Sequence, residues 1–238
     1  MENLANMNLK LLWSDTKKIL NDSSVYKYMI PGVLVTLIYV SFLWSIGAYD
    51  TTEEVNTDTL GWLGKLSYWL MSGVRWFSTM LFEFTVITLF SPIMALLSER
   101  CDTILTGREY QFTFERFMKE LLRTIGILTT GFLFSLIVIG LWSLISWIGN
   151  LSAISPYIVF ILKAFFIGFN FVDYSFERNM ISIGKSWRYG ISNPLIMIAI
   201  GALFALIIAI PIVGVVLATF LTTILATVYF VHKRERFF

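Results

Sequence analysis

Two stretches of this sequence carry no charged residue: positions 124–162 contain no Asp, Glu, Lys or Arg, and neither do positions 189–231. A bilayer hydrocarbon core about 30 Å thick needs about 20 apolar residues per helical crossing. Each run is therefore long enough for two helical passes. A soluble chain carries charge at about a quarter of its positions, whereas here 14% are charged, 57% are hydrophobic and the mean hydropathy is +0.74. The expected fold class is an all-α integral membrane protein.

Net charge is only +2, and its distribution says more than its value. Lys10, Lys17, Lys18 and Lys27 precede the first apolar stretch, residues 29–49. Arg100, Arg108, Arg116, Lys119 and Arg123 follow the second; Arg178, Lys185 and Arg188 separate the two uncharged runs; Lys233, Arg234 and Arg236 come near the end. Residues 50–65 instead hold Asp50, Glu53, Glu54 and Asp58 against a single lysine. By the positive-inside rule, the four basic segments are cytoplasmic and residues 50–65 lie outside. The charged leader is long for a signal peptide, so residues 29–49 are read as a retained span. Cys101 is the only cysteine, which excludes an intramolecular disulfide.

The expected organisation is a cytoplasmic leader, 1–28, and a single helical membrane domain, 29–238. Leu9, Leu12, Trp13 and Leu20 give the leader one apolar face opposite its lysines, suited to an interfacial helix or to an ordinary solvated one. Spans are expected at 29–49 and 76–98, the second preceded by an aromatic belt of Trp62, Tyr68, Trp69 and Trp76. The charged residues 99–123 are expected to prolong that second helix. Two hairpins, about 124–172 and 191–231, come next, each able to insert fully or only partway. FTFERFM (112–118) and YSFERNM (174–180) match closely enough to suggest an internal repeat of a charged helix plus an apolar hairpin. The turn in the second hairpin, IPIVG (210–214), has nothing polar around it. An aqueous turn normally carries Asn, Asp or Ser, so this tip is expected at membrane depth, covered by other helices.

A first span introduced by Pro31, the segment LFSPIMALLSERCDTILTG (89–107), FNFVDYSFERNMISIGKSWRY (169–189) and the IPIVG turn together resemble the CysZ-like/etoposide-induced membrane protein family. The resemblance covers about residues 10–235. It implies two long spanning helices and two pairs of shorter helices inserted partway, with sulfate-permease activity among bacterial members. Those permeases place an arginine pair before the first span. In the register set by Pro31, this chain has Val25 and Tyr26 there, with Lys27 as the remaining cation. An arginine fork grips an oxyanion by paired donors, whereas lysine supplies a point charge.

Glu83 interrupts the uncharged stretch Trp76–Ser98, where an ionisable group costs at least a few kcal/mol and usually faces a bundle interior or watery cavity. Arg75 and Lys163 are the other cations at membrane depth; both have the length to snorkel. These three are the candidates for a transport path. Lys27 and Asn193 are the candidates for anion binding, Asn193 because the SNPLI segment reads as a helix start with Asn at N-cap and Pro194 at N1. No catalytic residue, metal site or cofactor is expected. His232 is the only histidine, and no phosphate-binding glycine loop is present. The reading is a channel-like permease for a small inorganic anion such as sulfate, in a bacterial inner membrane with both termini cytoplasmic. The alternative is a non-transporting scaffold or lipid-interacting protein. Expected partners are the bilayer, a small anion and further copies of the chain, with no nucleic acid.

Overall fold

The computed structural model describes residues 9–45, 61–62, 64, 90–110, 113–210 and 213–234. Its described elements are all helical: α1 (Leu9–Leu20), a 3₁₀ turn (Ser23–Tyr28), α2 (Met29–Ser45), α3 (90–106), α4 (Phe114–Ile148), α5 (Ser155–Arg178), α6 (Ile183–Ser192), α7 (Pro194–Ile208) and α8 (Gly214–Lys233). Three of these are long and apolar enough to cross a membrane, or four if α6 and α7 count as one bent span. The all-α membrane fold read from the uncharged runs is the fold observed.

Lipid tails are as apolar as leucine, so helices in a bilayer associate through close packing of small residues. The α5–α7 contact is built this way. A Cβ on Gly168 would lie 1.9 Å from the Met197 carbonyl oxygen, and one on Gly201 would lie 1.8 Å from that of Ala164. The two backbones touch antiparallel, and only glycine fits at either point. Above and below this contact, Phe169, Phe171, Phe176, Phe204, Phe220 and Phe230 fill the core.

The first hairpin, α4–α5, turns at Gly149 and Asn150, whose φ of 52° is left-handed. Its first arm contains the apolar segment Leu122–Ile148, 27 residues long, about 40 Å at helical rise. Length therefore does not limit that hairpin to half the bilayer. The second hairpin differs. α7 has 15 residues, about 22 Å, less than the hydrocarbon thickness. α6 meets α7 at 91° across Asn193. The hairpin tip is closed by Gly214, where a Cβ would lie 2.6 Å from the Ile207 carbonyl oxygen.

Several expectations need correction. The helix expected to run on through residues 99–123 ends at 106, because Gly107 adopts φ 73° and its N–H caps the Thr103 carbonyl at 2.9 Å. The left-handed turn is a common helix stop, and residues 114–123 belong to α4 instead. The proposed repeat also fails as a structural unit. Phe114–Met118 opens α4, whereas Phe176–Arg178 closes α5 and Met180 lies beyond it. The apolar tip is not covered by other described helices, since Ile210 and Val213 remain nearly half-exposed; Pro211 and Ile212 themselves lie outside the described residues. The inner face of α1 is Leu12, Thr16, Ile19 and Leu20, packed on the core, while Trp13 is exposed.

α1 is fastened to the last turn of α8 by Asp15 and His232, 2.8 Å apart. The 3₁₀ turn then stacks Tyr26 on Phe220. α2 begins where α8 begins: a Cβ on Gly32 would lie 2.8 Å from Phe90 and 3.4 Å from Val216. The tip of the second hairpin thus sits beside the first turn of the first predicted span.

Candidate functional site

Of the residues singled out in the sequence, Glu83 and Arg75 lie outside the described residues. Lys163 is half-buried near the middle of α5. Lys27 is exposed on the 3₁₀ turn, its ammonium 5.1 Å from the centroid of the Tyr28 ring. The positions beside it are committed to packing, with Val25 fully buried and Tyr26 donating to the Leu20 carbonyl at 2.7 Å. Asn193 does stand at the N-cap of α7 with Pro194 next, but its side chain makes no capping bond. Its amide donates back to the Tyr189 carbonyl at 3.0 Å instead. Lys27, Lys163 and Asn193 stand on separate elements, and no described contact brings them together.

What the fold brings together is a buried polar seam where α3, α5 and α8 meet. Arg178, in the last turn of α5, has a side chain only 2% exposed. Its Nε lies 3.3 Å from Oδ2 of Asp102, which is fully buried on α3. Its Nη1 donates to the Ser98 carbonyl at 2.6 Å and to the Ser98 hydroxyl. The guanidinium faces the Phe230 ring at 5.7 Å, and its Nη2 is buried with no hydrogen-bond partner among the described residues. Asp102 also approaches Arg234 at 3.7 Å and accepts from the Tyr110 hydroxyl. Burial first, and that hydrogen bond second, push the Tyr110 phenol up to about 12, so it stays a donor. Arg234 in turn donates to Asn179 at 2.5 Å.

Hydroxyls continue the seam. Ser98 is 2.7 Å from the Thr227 hydroxyl and 3.5 Å from that of Ser175. Along α8, Thr219, Thr223 and Thr227 recur every fourth residue on one helix face, and all are buried with Thr222. Thr219 and Thr223 donate to carbonyls one turn earlier, while the Thr222 hydroxyl has no hydrogen-bond partner among the described residues.

A second polar group lies between α4, α5 and α6. Arg123 makes a fork to Asp173 at 2.8 and 3.1 Å, and its Nη2 also reaches the Ile181 carbonyl and the Ser186 hydroxyl, each at 3.1 Å. Thr124 donates to Glu177 at 2.5 Å. Beside them opens a cavity of about 590 Å³ whose charged lining is Glu115, Lys119, Arg123 and Glu177. Lys119 is bonded to Glu115 at 2.7 Å and holds that carboxyl below its ordinary range. Cations and carboxylates balance in this lining, so the cavity has no charge preference for an anion. The Arg178 seam is the better candidate. Among the described residues no three His, Cys, Asp or Glu side chains are grouped to hold a metal.

Asp102 and Arg178 stand inside two of the motifs that carry the family resemblance, yet sequence reasoning misses that they pair, because they lie 76 positions apart. The threonine ladder was visible as T-x-x-x-T-x-x-x-T within an apolar run, a spacing that puts the hydroxyls on one face. The family model described as "Sulfate transporter CysZ/Etoposide-induced protein 2.4" matches residues 17–219 of the chain. No curated protein gives a significant match.

Proposed function

This chain belongs to the sulfate transporter CysZ/etoposide-induced protein 2.4 family, and from that premise we propose that it is a channel-like permease for a small inorganic anion such as sulfate, with Arg178 as the anion's contact. Membership makes it a sulfate transporter-like membrane protein; the solute and the passive mechanism are our reading. The observation that carries it is the buried Nη2 of Arg178, which has no hydrogen-bond partner among the described residues, on a guanidinium whose Nη1 already reaches the Ser98 hydroxyl. An anion leaving water must exchange its hydration shell for fixed donors, and a charge-assisted bond to a guanidinium is among the stronger ones. The Ser98 and Thr227 hydroxyls, 2.7 Å apart, add polarity to the seam and no further charge.

Asp102 gives the arrangement its reversibility. It competes with an anion for Arg178 at 3.3 Å, so the anion is held weakly enough to leave. Conduction needs binding strong enough for entry and weak enough for exit. Both termini are assigned to the cytoplasm on the basic-residue distribution, in a bacterial inner membrane, with the chain acting as a homo-oligomer. The rival reading, a scaffold, draws on the same pair: Asp102 and Arg178 could simply lock α3 to α5.

Radiolabelled sulfate flux into proteoliposomes distinguishes the two. The permease reading expects flux above that of empty liposomes, falling about tenfold or more in Arg178→Lys, since a hydrogen bond to a charged group contributes about 1.5–3 kcal/mol. The variant's melting temperature is measured alongside, so that unfolding is not mistaken for lost conduction. Wild-type flux no greater than in empty liposomes would leave the scaffold.

A further inference from the structure

α6 is ten residues long and has two dissimilar faces. The inner face is fixed. Ser186 is fully buried and accepts from Arg123 at 3.1 Å, Trp187 stacks on Phe169 with ring centroids 4.2 Å apart, and a Cβ on Gly190 would lie 2.7 Å from Phe169. The Tyr189 hydroxyl bonds to that of Tyr229 on α8. The outer face carries Lys185 and Arg188, both exposed, with no carboxylate in ion-pair range among the described residues. Exposed apolar side chains flank these cations: Ile183 and Ile191 on α6 itself, Met180 before it and Leu195 after it.

We propose that the outer face of α6 is a docking surface for anionic phospholipid, with Lys185 and Arg188 on the headgroup phosphates and Ile183, Ile191 and Leu195 at the top of the acyl region. Three observations meet here. α6 stands at 91° to α7, so a hairpin arm entering the bilayer leaves α6 lying in the membrane plane. An in-plane helix with basic residues among apolar ones is the pattern of interfacial binding. The apolar flanks select a lipid over a free oxyanion, which would use the two cations and nothing else. Because the inner face is clamped to α5 and α8, the docked helix also fixes the depth at which α7 enters. Asn193, at the bend, is the hinge between them.

The test uses the purified full-length chain in phosphatidylcholine vesicles with and without phosphatidylglycerol, and reads the lipid retained on extraction by mass spectrometry. The wild type is expected to retain phosphatidylglycerol preferentially. Lys185→Gln with Arg188→Gln should lower that preference about fivefold or more, a single basic residue near an anionic surface being equivalent to about fivefold. Lys10→Gln with Lys17→Gln, an equal charge loss elsewhere, should leave most of it. Equal losses in the two double variants would overturn the site in favour of diffuse attraction. Competition by inorganic phosphate beyond that of chloride at matched ionic strength would overturn the lipid as its occupant. A spin label at Gly184→Cys reads depth independently, because a side chain there meets nothing within 4 Å. A headgroup-depth label supports docking, and a fully aqueous one excludes it.

Discussion

Arg178 shows how little of a charged residue's role is set by its own neighbours in sequence. It ends a helix, where a cation ordinarily faces water and complements the helix dipole. Here it points inward onto Asp102, and the two side chains are 2% and 0% exposed. Removing one member of a buried pair strands the other, at about 3–5 kcal/mol, whereas replacing both with apolar groups of similar volume is often neutral or better. Arg178→Ala is therefore expected to lower thermal stability in detergent by that amount. Arg178→Met combined with Asp102→Leu should recover a good part of it, less what Arg234 loses with the shared carboxylate. If the single variant melts like the wild type, the seam does not hold α3 against α5. Cys101, beside Asp102 in sequence, is fully buried, and burial pushes its thiol up to about 12. It should remain unmodified by maleimides in the folded protein.

Among the helices, the α5–α7 contact carries the most specific packing. A Gly→Ala change in a helix normally stabilises by about 1 kcal/mol. At Gly168 and Gly201 the new methyl would stand under 2 Å from a backbone oxygen, and helix backbones must separate to admit it. Overpacking of that kind costs about 1–3 kcal/mol or more, so the steric term wins and both substitutions should destabilise. Gly140, where a Cβ meets nothing within 4 Å, supplies the control: Gly140→Ala should be neutral or slightly stabilising. Comparable melting of all three variants would show that α5 and α7 do not approach this closely. Neither glycine stands out in the sequence, because the face each occupies matters only once its partner helix is known.

For the molecule as a whole, the main question is how the second hairpin sits in the bilayer. α7 is too short to cross, and the start of α2 packs beside the start of α8 at Gly32 and Val216. The tip of the second hairpin is thus packed against the first turn of α2. Val213 is 49% exposed on the chain, so protein burial cannot protect it from a reagent; only hydrocarbon can. On a Cys101→Ser background, a cysteine at Val213 is expected to react slowly with a membrane-impermeant maleimide. One at Glu54 should react from outside and one at Glu235 should not; these two positions lie outside the described residues. Fast reaction at Val213 would mean the tip reaches water. Reaction at Glu235 from outside would reverse the orientation.

Solvent preference and charge are the properties through which the sequence alone determined this protein's class and layout. Uncharged runs of that length read as membrane helices, and Gly149–Asn150 and Gly214 stand at the two hairpin turns. Those are local properties, set by one residue's preference for lipid, water or a left-handed backbone. Tertiary structure decided the candidate site. The sequence pointed to Lys27, Lys163 and Asn193, each notable for standing out from its neighbours, and the fold leaves them apart. Asp102, Arg178, Ser98 and Thr227 stand in segments already polar or already apolar, where none is conspicuous. They meet only because three helices distant in sequence cross at one level, and no pattern within a single helix encodes which residue its neighbour will face.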